Sequence, residues 1–261
     1  LTMLEFTALE FNGWLSQYFY PFARIAGCLG VKPLLGSKLV PRQVRILLSV
    51  FITLIIAPLL PPMPAVDPMS LASFIIIFEQ MLIGIVLGFM VEIVTQVFVL
   101  AGQLIAMQTG LGIATTVDPA QGVSVVVVSQ WFLFLTSLTF LALNGHLVVI
   151  EVVVESFYTM PIGGGAWTAD DYGRMVRWGG WMFASALVIA LPALTSLLIV
   201  NFAFGVMTRA APQLNIFSLG FPVTMLVGLA IIWLTIGHLG ESFHVLLETL
   251  FEFLRSLIRT P

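Results

Sequence analysis

Charge is what this chain has least of. Of its 261 residues only 9% are Asp, Glu, Lys or Arg, while 59% are hydrophobic and the mean hydropathy is +1.08. A soluble domain carries about 25% charged residues. Without them this composition would expose a continuous apolar surface in water and aggregate. An ordinary soluble fold is therefore excluded, and a polytopic membrane protein is expected. Cysteine is nearly absent as well. The single Cys28 excludes an internal disulfide, and within an apolar run it reads as a small buried hydrophobe. The net charge of −3 gives no basic signature for nucleic acid. A cleavable leader is not expected, because a leader needs positive charge ahead of its apolar core. Here the first basic residue is Arg24, preceded by Glu5 and Glu10. Insertion through the first apolar segment, with Met3 as the natural start, is the reading.

What is present is a series of long apolar segments. The first runs from about Phe11 to Leu35 and contains Pro21 and Arg24. A basic stretch with Lys32, Lys38, Arg42 and Arg45 follows. The second segment, Ile46 to Leu60, is closed by Pro58, Pro61, Pro62, Pro64 and Pro68, residues that lack the backbone donor and break a helix. The third runs from Leu71 to about Met107 and the fourth from Val123 to about Phe157, with a glycine-rich linker, Gly110 to Gly122, between them. After a Gly-Gly-Gly loop at 163–165 and the acidic pair Asp170 and Asp171, the fifth runs from Trp178 to Thr208. The sixth runs from Phe217 to Leu239, and a last amphipathic helix covers Glu241 to Ile258. A straight crossing needs about 20 residues. The third and fourth segments are too long for one crossing and short for two, so kinked helices or helical hairpins that bury polar groups against neighbours are expected. The excess of Lys and Arg puts the 31–45 loop in the cytoplasm. The Pro-rich loop around Asp67 and the 151–171 region then fall outside, and Arg209 inside.

Three features stand out for function. The first is a polar knot, Met207-Thr-Arg-Ala-Ala-Pro-Gln-Leu-Asn-Ile-Phe-Ser-Leu-Gly-Phe-Pro222. Neither 178–208 nor 210–240 carries a charged residue, so Arg209 stands alone beside Pro212, Gln213 and Asn215. A charge at that depth is costly unless it reaches an interface, a cavity or a partner. The knot is a turn at a membrane surface or a packed junction inside an assembly. The second is a stripe of Glu92, Gln96 and Gln103, spaced to share one helix face, with Glu79 on nearly the opposite side. It fits a conduit wall, an ion-coupling carboxylate, or hydrogen bonding between membrane helices. The third is the Gly110–Gly122 linker. It lacks the Gly-Lys-Ser/Thr ending of a phosphate loop. Its glycines and its apolar Leu111, Ile113 and Val117 fit either a compact packed loop or an exposed linker.

In the last helix, Glu241, Glu248, Glu252, Arg255 and Arg259 make a charged face, with Glu252–Arg255 support expected along the helix. Glu241-x-x-His244 matches half of a bundle metal site, but no second half is present in the sequence. No Ser, His and Asp grouping and no His-Glu-x-x-His motif occurs, so no catalytic, cofactor or metal residues are assigned. One alternative is a self-contained secondary transporter, with Glu92 as its substrate carboxylate. Another is an intramembrane enzyme.

The 207–222 knot, Ala106-Met-Gln-Thr-Gly-Leu-Gly with Val117-Asp118-Pro119, and Leu143-Asn-Gly-His-Leu resemble, in the same order along the whole chain, the FliR family of the bacterial flagellar type III export apparatus. That resemblance implies an all-α membrane fold, with a FliP-like helical unit over 1–210 followed by a FliQ-like helical hairpin over 211–261. It implies a non-enzymatic subunit of an export gate in the inner membrane, assembled with FliP, FliQ and FlhB and with proximal rod components. Unfolded flagellar subunits would be the cargo. It further implies that Gly110, Leu111, Gly112, Ile113, Val117, Asp118, Pro119 and Gly122 belong to a plug in the closed conduit. Arg209, Pro212, Gln213 and Asn215 would lie at a subunit junction.

Overall fold

The computed structural model describes residues 8–31, 41–61, 63–64, 66–67, 70–117, 124–164, 167–210 and 216–258. Seven α-helices account for most of them: α1 (Ala8–Gly30), α2 (Arg42–Ile56), α3 (Leu71–Thr109), α4 (Val127–Ala142), α5 (Gly145–Thr159), α6 (Ala169–Ala210) and α7 (Ile216–Ile258). Four helical stretches among the described residues are long and apolar enough to cross a membrane, and a fifth crossing results if the bent pair α4 and α5 counts as one. The chain is thus a multi-pass, all-α membrane protein. Between α3 and α4 a short antiparallel pair joins β1 (Thr115–Val117), inside the expected linker, to β2 (Ser124–Val126), at the start of the expected fourth segment, in register Thr115↔Val126 to Val117↔Ser124.

Local chemistry sets the helix ends. The α2 helix starts directly after Pro41 and tightens into a 3₁₀ turn at Ala57–Leu59, because Pro58 cannot donate to the ladder. The α3 helix is capped by Ser70, whose Oγ accepts the Ser73 N–H at 3.2 Å. At the start of α6, Asp171 Oδ2 accepts both the Thr168 N–H (3.0 Å) and the Thr168 hydroxyl (2.7 Å), the half of a capping box in which the acidic side chain reaches back to the residue before the helix. The long fourth segment is two helices bent by 67°, with Asn144 at φ +55° in the break. Thr136, Ser137 and Thr139 in α4 return their hydroxyls to carbonyls four residues back, which removes the penalty of a polar group in an apolar layer.

Three sequence expectations change. The third segment is a single helix, α3, unbroken from Leu71 to Thr109, and not a hairpin. No break separates the sixth segment from the last helix, since α7 runs unbroken from Ile216 to Ile258. Gly240 lies inside it, and a mid-helix glycine costs only about 1 kcal/mol, which burial of Leu239 and Phe243 on either side outweighs. Arg255 does not rely on Glu252. Its guanidinium reaches Glu151 at 3.4 Å and Glu155 at 3.6 Å, both on α5.

The chain forms two compact units. One holds residues 1–92, 145–174 and 250–261, the other 93–144 and 175–249. In the first, α1 and α3 approach at Gly27, Gly84 and Gly88. A Cβ on Gly84 would overlap the Arg24 carbonyl oxygen and lie 2.8 Å from the Cys28 nitrogen, so only glycine allows this backbone-to-backbone contact. In the second, Phe243 meets Phe98 at 5.4 Å and Phe140 at 6.4 Å between ring centroids, a tilted and edge-on cluster of the favoured kind.

Candidate functional site

The glycine-rich linker leaves α3 by a sharp turn. Thr109, the last residue of the helix, is fully buried. Its Oγ1 donates to the Ala106 carbonyl at 3.0 Å and accepts the Leu111 N–H at 3.3 Å. Gly110 then takes φ +79°, a left-handed conformation that glycine adopts without penalty and that commonly ends a helix. Leu111–Ile113 form one 3₁₀ turn, closed by the Ala114 N–H on the Leu111 carbonyl. The Val127 N–H reaches the Ala114 carbonyl at 3.0 Å, so the base of the β1–β2 pair is tied to the start of α4. Gly110, Leu111 and Gly112 are partly covered, whereas Ile113 is 81% exposed. Val117 closes β1 at the backbone level. Asp118, Pro119 and Gly122 lie outside the described residues.

This loop root meets the first turns of α7. The Phe221 ring stands against Gly110, where an added Cβ would come within 2.7 Å of Cε2. At Gly228 an added Cβ would overlap the Thr109 methyl and come within 2.7 Å of the Thr109 Cβ. The root is therefore seated on one stripe of α7.

The other two features are less enclosed. Arg209 is exposed in the last turn of α6, while Pro212, Gln213 and Asn215 lie outside the described residues. All three stripe residues fall on α3. Glu92 and Gln96 are half-buried and have interaction partners, and Gln103 is exposed.

Sequence reasoning missed a buried cation. Arg24 is completely enclosed in the first unit. Its Nε donates to Gln80 Oε1 at 2.9 Å. The two terminal nitrogens reach the Ser156 carbonyl (2.7 Å), the Ser156 hydroxyl (3.0 Å) and the Met160 carbonyl (3.0 Å). The guanidinium also stacks 4.3 Å from the Phe157 ring centroid. Burial of a charge is tolerable only when it is this thoroughly bonded. The signal in the sequence was Arg24 itself, a lone cation in an apolar segment. Its partners are 56 to 136 positions away and carry no local mark.

Comparison with known proteins supplies what geometry cannot. The family described as Bacterial export proteins, family 1, matches residues 15–250. The flagellar biosynthetic protein FliR of Pectobacterium carotovorum subsp. carotovorum is 35% identical over 256 residues, covering 98% of both chains. That of Escherichia coli (strain K12) shows the same identity and coverage. The FliR protein of Bacillus subtilis (strain 168) is 26% identical over 209 residues, 79% of this chain and 80% of its own. The match extends through α1–α7 with the loop and the knot inside it, and the chain belongs to family 1 of the bacterial export proteins, the FliR family.

Proposed function

We propose that this flagellar export component works as a structural and gating subunit of the type III export gate in the bacterial inner membrane, at the flagellar basal body. FliP and FliQ subunits, FlhB and proximal rod components are its neighbours, and unfolded flagellar subunits pass beside it. Residues 1–210 make a FliP-like unit and residues 211–261 the FliQ-like part, which here is the single long helix α7 in place of the hairpin expected from the sequence. The subunit performs no bond chemistry. The loop from Gly110 through Val117, continued by Asp118, Pro119 and Gly122, blocks the resting conduit. The segment with Arg209, Pro212, Gln213 and Asn215 packs against a sister chain. Glu92, Gln96 and Gln103 form a polar stripe on α3, of which the exposed Gln103 offers a polar contact toward the assembly.

The observation that carries this reading is the outer face of α6. Val176, Phe183, Leu187, Leu191, Leu198, Ile199, Phe202, Val206 and Met207 are all exposed. Val176 is followed by the exposed Arg177, so the continuous apolar band runs from Phe183 to Met207, about 36 Å at a rise of about 1.5 Å per residue, against a hydrocarbon layer about 30 Å thick. The exposed Asn201 lies within it. A neighbouring subunit would cover this long exterior and its polar group, as polar residues between membrane helices do.

The test is deletion of residues 110–122 in cells that carry all the export components. Assembly, read by sizing the extracted complex, should be retained, and the membrane should become leaky to ions. Assembled complexes with an unchanged leak would refute the plug.

A further inference from the structure

We infer that the start of α7 is the seat that holds the gating loop, with Thr109 and Gly228 as its positioning pair. This builds on the plug reading and adds what fixes the root of the loop. Phe221 and Gly228 are seven residues apart on one helix face. Together they bracket Thr109 and Gly110, the two residues where the chain leaves α3. Each contact sets a different property. The Thr109 methyl sits in the notch left by the missing Gly228 side chain, which fixes the height of the root along α7. The Phe221 ring against Gly110 fixes the direction in which the left-handed turn launches Leu111–Ile113. The Thr109 hydroxyl carries both to the loop, because it holds the Leu111 N–H.

The test uses the full chain in the assembled gate. Ile113, exposed in the 3₁₀ turn that follows the root, is replaced by Cys in a Cys28→Ala background, and the rate of maleimide labelling is measured together with ion leak. Gly228→Ala forces a methyl against Thr109. Overpacking of this kind should raise labelling by roughly tenfold or more, with a parallel rise in leak. Gly237→Ala on the same helix, where a Cβ would meet nothing within 4 Å, should change neither. Adding Thr109→Ser to Gly228→Ala removes the colliding Cγ2 but keeps the hydroxyl and the 2.7 Å approach to Cβ, and should bring labelling part of the way back toward the wild-type rate. Phe221→Ala, which removes bulk and adds none, should raise labelling severalfold and serves if Gly228→Ala fails to assemble. Equal labelling in Gly228→Ala and Gly237→Ala, or an unchanged rate in Phe221→Ala, overturns the seat. If labelling responds as expected but deletion of 110–122 causes no leak, the seat stands and the plug reading fails.

Discussion

Replacing Arg24 with Met removes the charge and keeps most of the volume, so its effect isolates the hydrogen bonds. Four acceptor atoms face the guanidinium. Two keep a partner without it: the Ser156 carbonyl also receives the Met160 N–H at 3.0 Å, and the Ser156 hydroxyl still donates to the Val153 carbonyl at 2.6 Å. The losses fall on Gln80 Oε1, on a side chain that is 1% exposed, and on the Met160 carbonyl. A buried acceptor stripped of its donor costs about 1–3 kcal/mol, which gives roughly 2–6 kcal/mol for the pair. The contact with Phe157 adds about 2 kcal/mol when desolvated. Against this, the cation no longer has to be held away from water, a gain of several kcal/mol for an ion in a protein interior. A net loss of about 3 kcal/mol is expected, or roughly 6–12 °C in Tm for a chain of this size. Thermal unfolding of the purified chain in detergent measures it. The double variant Arg24→Met with Gln80→Leu should recover about half the loss, because it leaves only the Met160 carbonyl unpaired. Arg24→Lys should fall between wild type and Met, since one ammonium cannot serve both sides of a planar fork. An unchanged Tm in Arg24→Met, or a double variant worse than the single, would refute this accounting of the clamp.

Two further outcomes are expected. Gly84→Ala should abolish accumulation of folded protein, because its methyl meets backbone atoms of Arg24 and Cys28 that cannot turn aside. Gly179→Ala, with open space around it, should be neutral or stabilise by up to about 1 kcal/mol; detergent-resistant yield after membrane extraction compares the two. Arg209→Ala should leave insertion of the chain intact and reduce its incorporation beside partner chains, as read by co-purification. Normal incorporation with failed export would remove Arg209 from the junction.

The parts of the fold that local chemistry dictates were legible in the sequence. Charge depletion marked the helices as membrane helices. The prolines from Pro58 onward marked the end of α2. The excess length and polar residues of the fourth segment signalled the kink that Asn144 makes between α4 and α5. What periodicity cannot carry is which residues meet across the chain. Nothing local pairs Arg24 with Gln80 and Met160, or Arg255 with Glu151 in place of Glu252. The pairing of Thr115–Val117 with Ser124–Val126 was hidden because the linker reads as glycine-rich coil. Of the candidate site, the loop and its turn-forming Gly110 were visible. Its seat was not, because Gly228 looks like any small residue in an apolar helix until Thr109 is placed against it.

The three longest helices share one difficulty, a length well beyond the bilayer, and resolve it in different ways. On α3 the excess is covered by the chain itself. Leu71, Phe74, Ile75, Phe78 and Phe89 face outward, but from Met90 to Ala106 only Gln103 is exposed. On α7 the outward face changes character. Phe221, Leu226, Leu229, Trp233 and Leu234 are exposed in its first half, and His238, Glu241, His244, Glu248 and Glu252 in its second. From Ile216 to about His238 is roughly 33 Å, one crossing at about 1.5 Å per residue, so the remainder continues into a polar setting. Only α6 keeps an apolar exterior to its far end. Its Phe202, Val206 and Met207 are left exposed by the described residues, and the same turns carry the exposed Arg209. A charge next to uncovered apolar surface, at the end of a helix too long for the membrane, is where a second protein has most to bury and most need of a polar contact to fix its register. The end of α6 is therefore the place where assembly should begin.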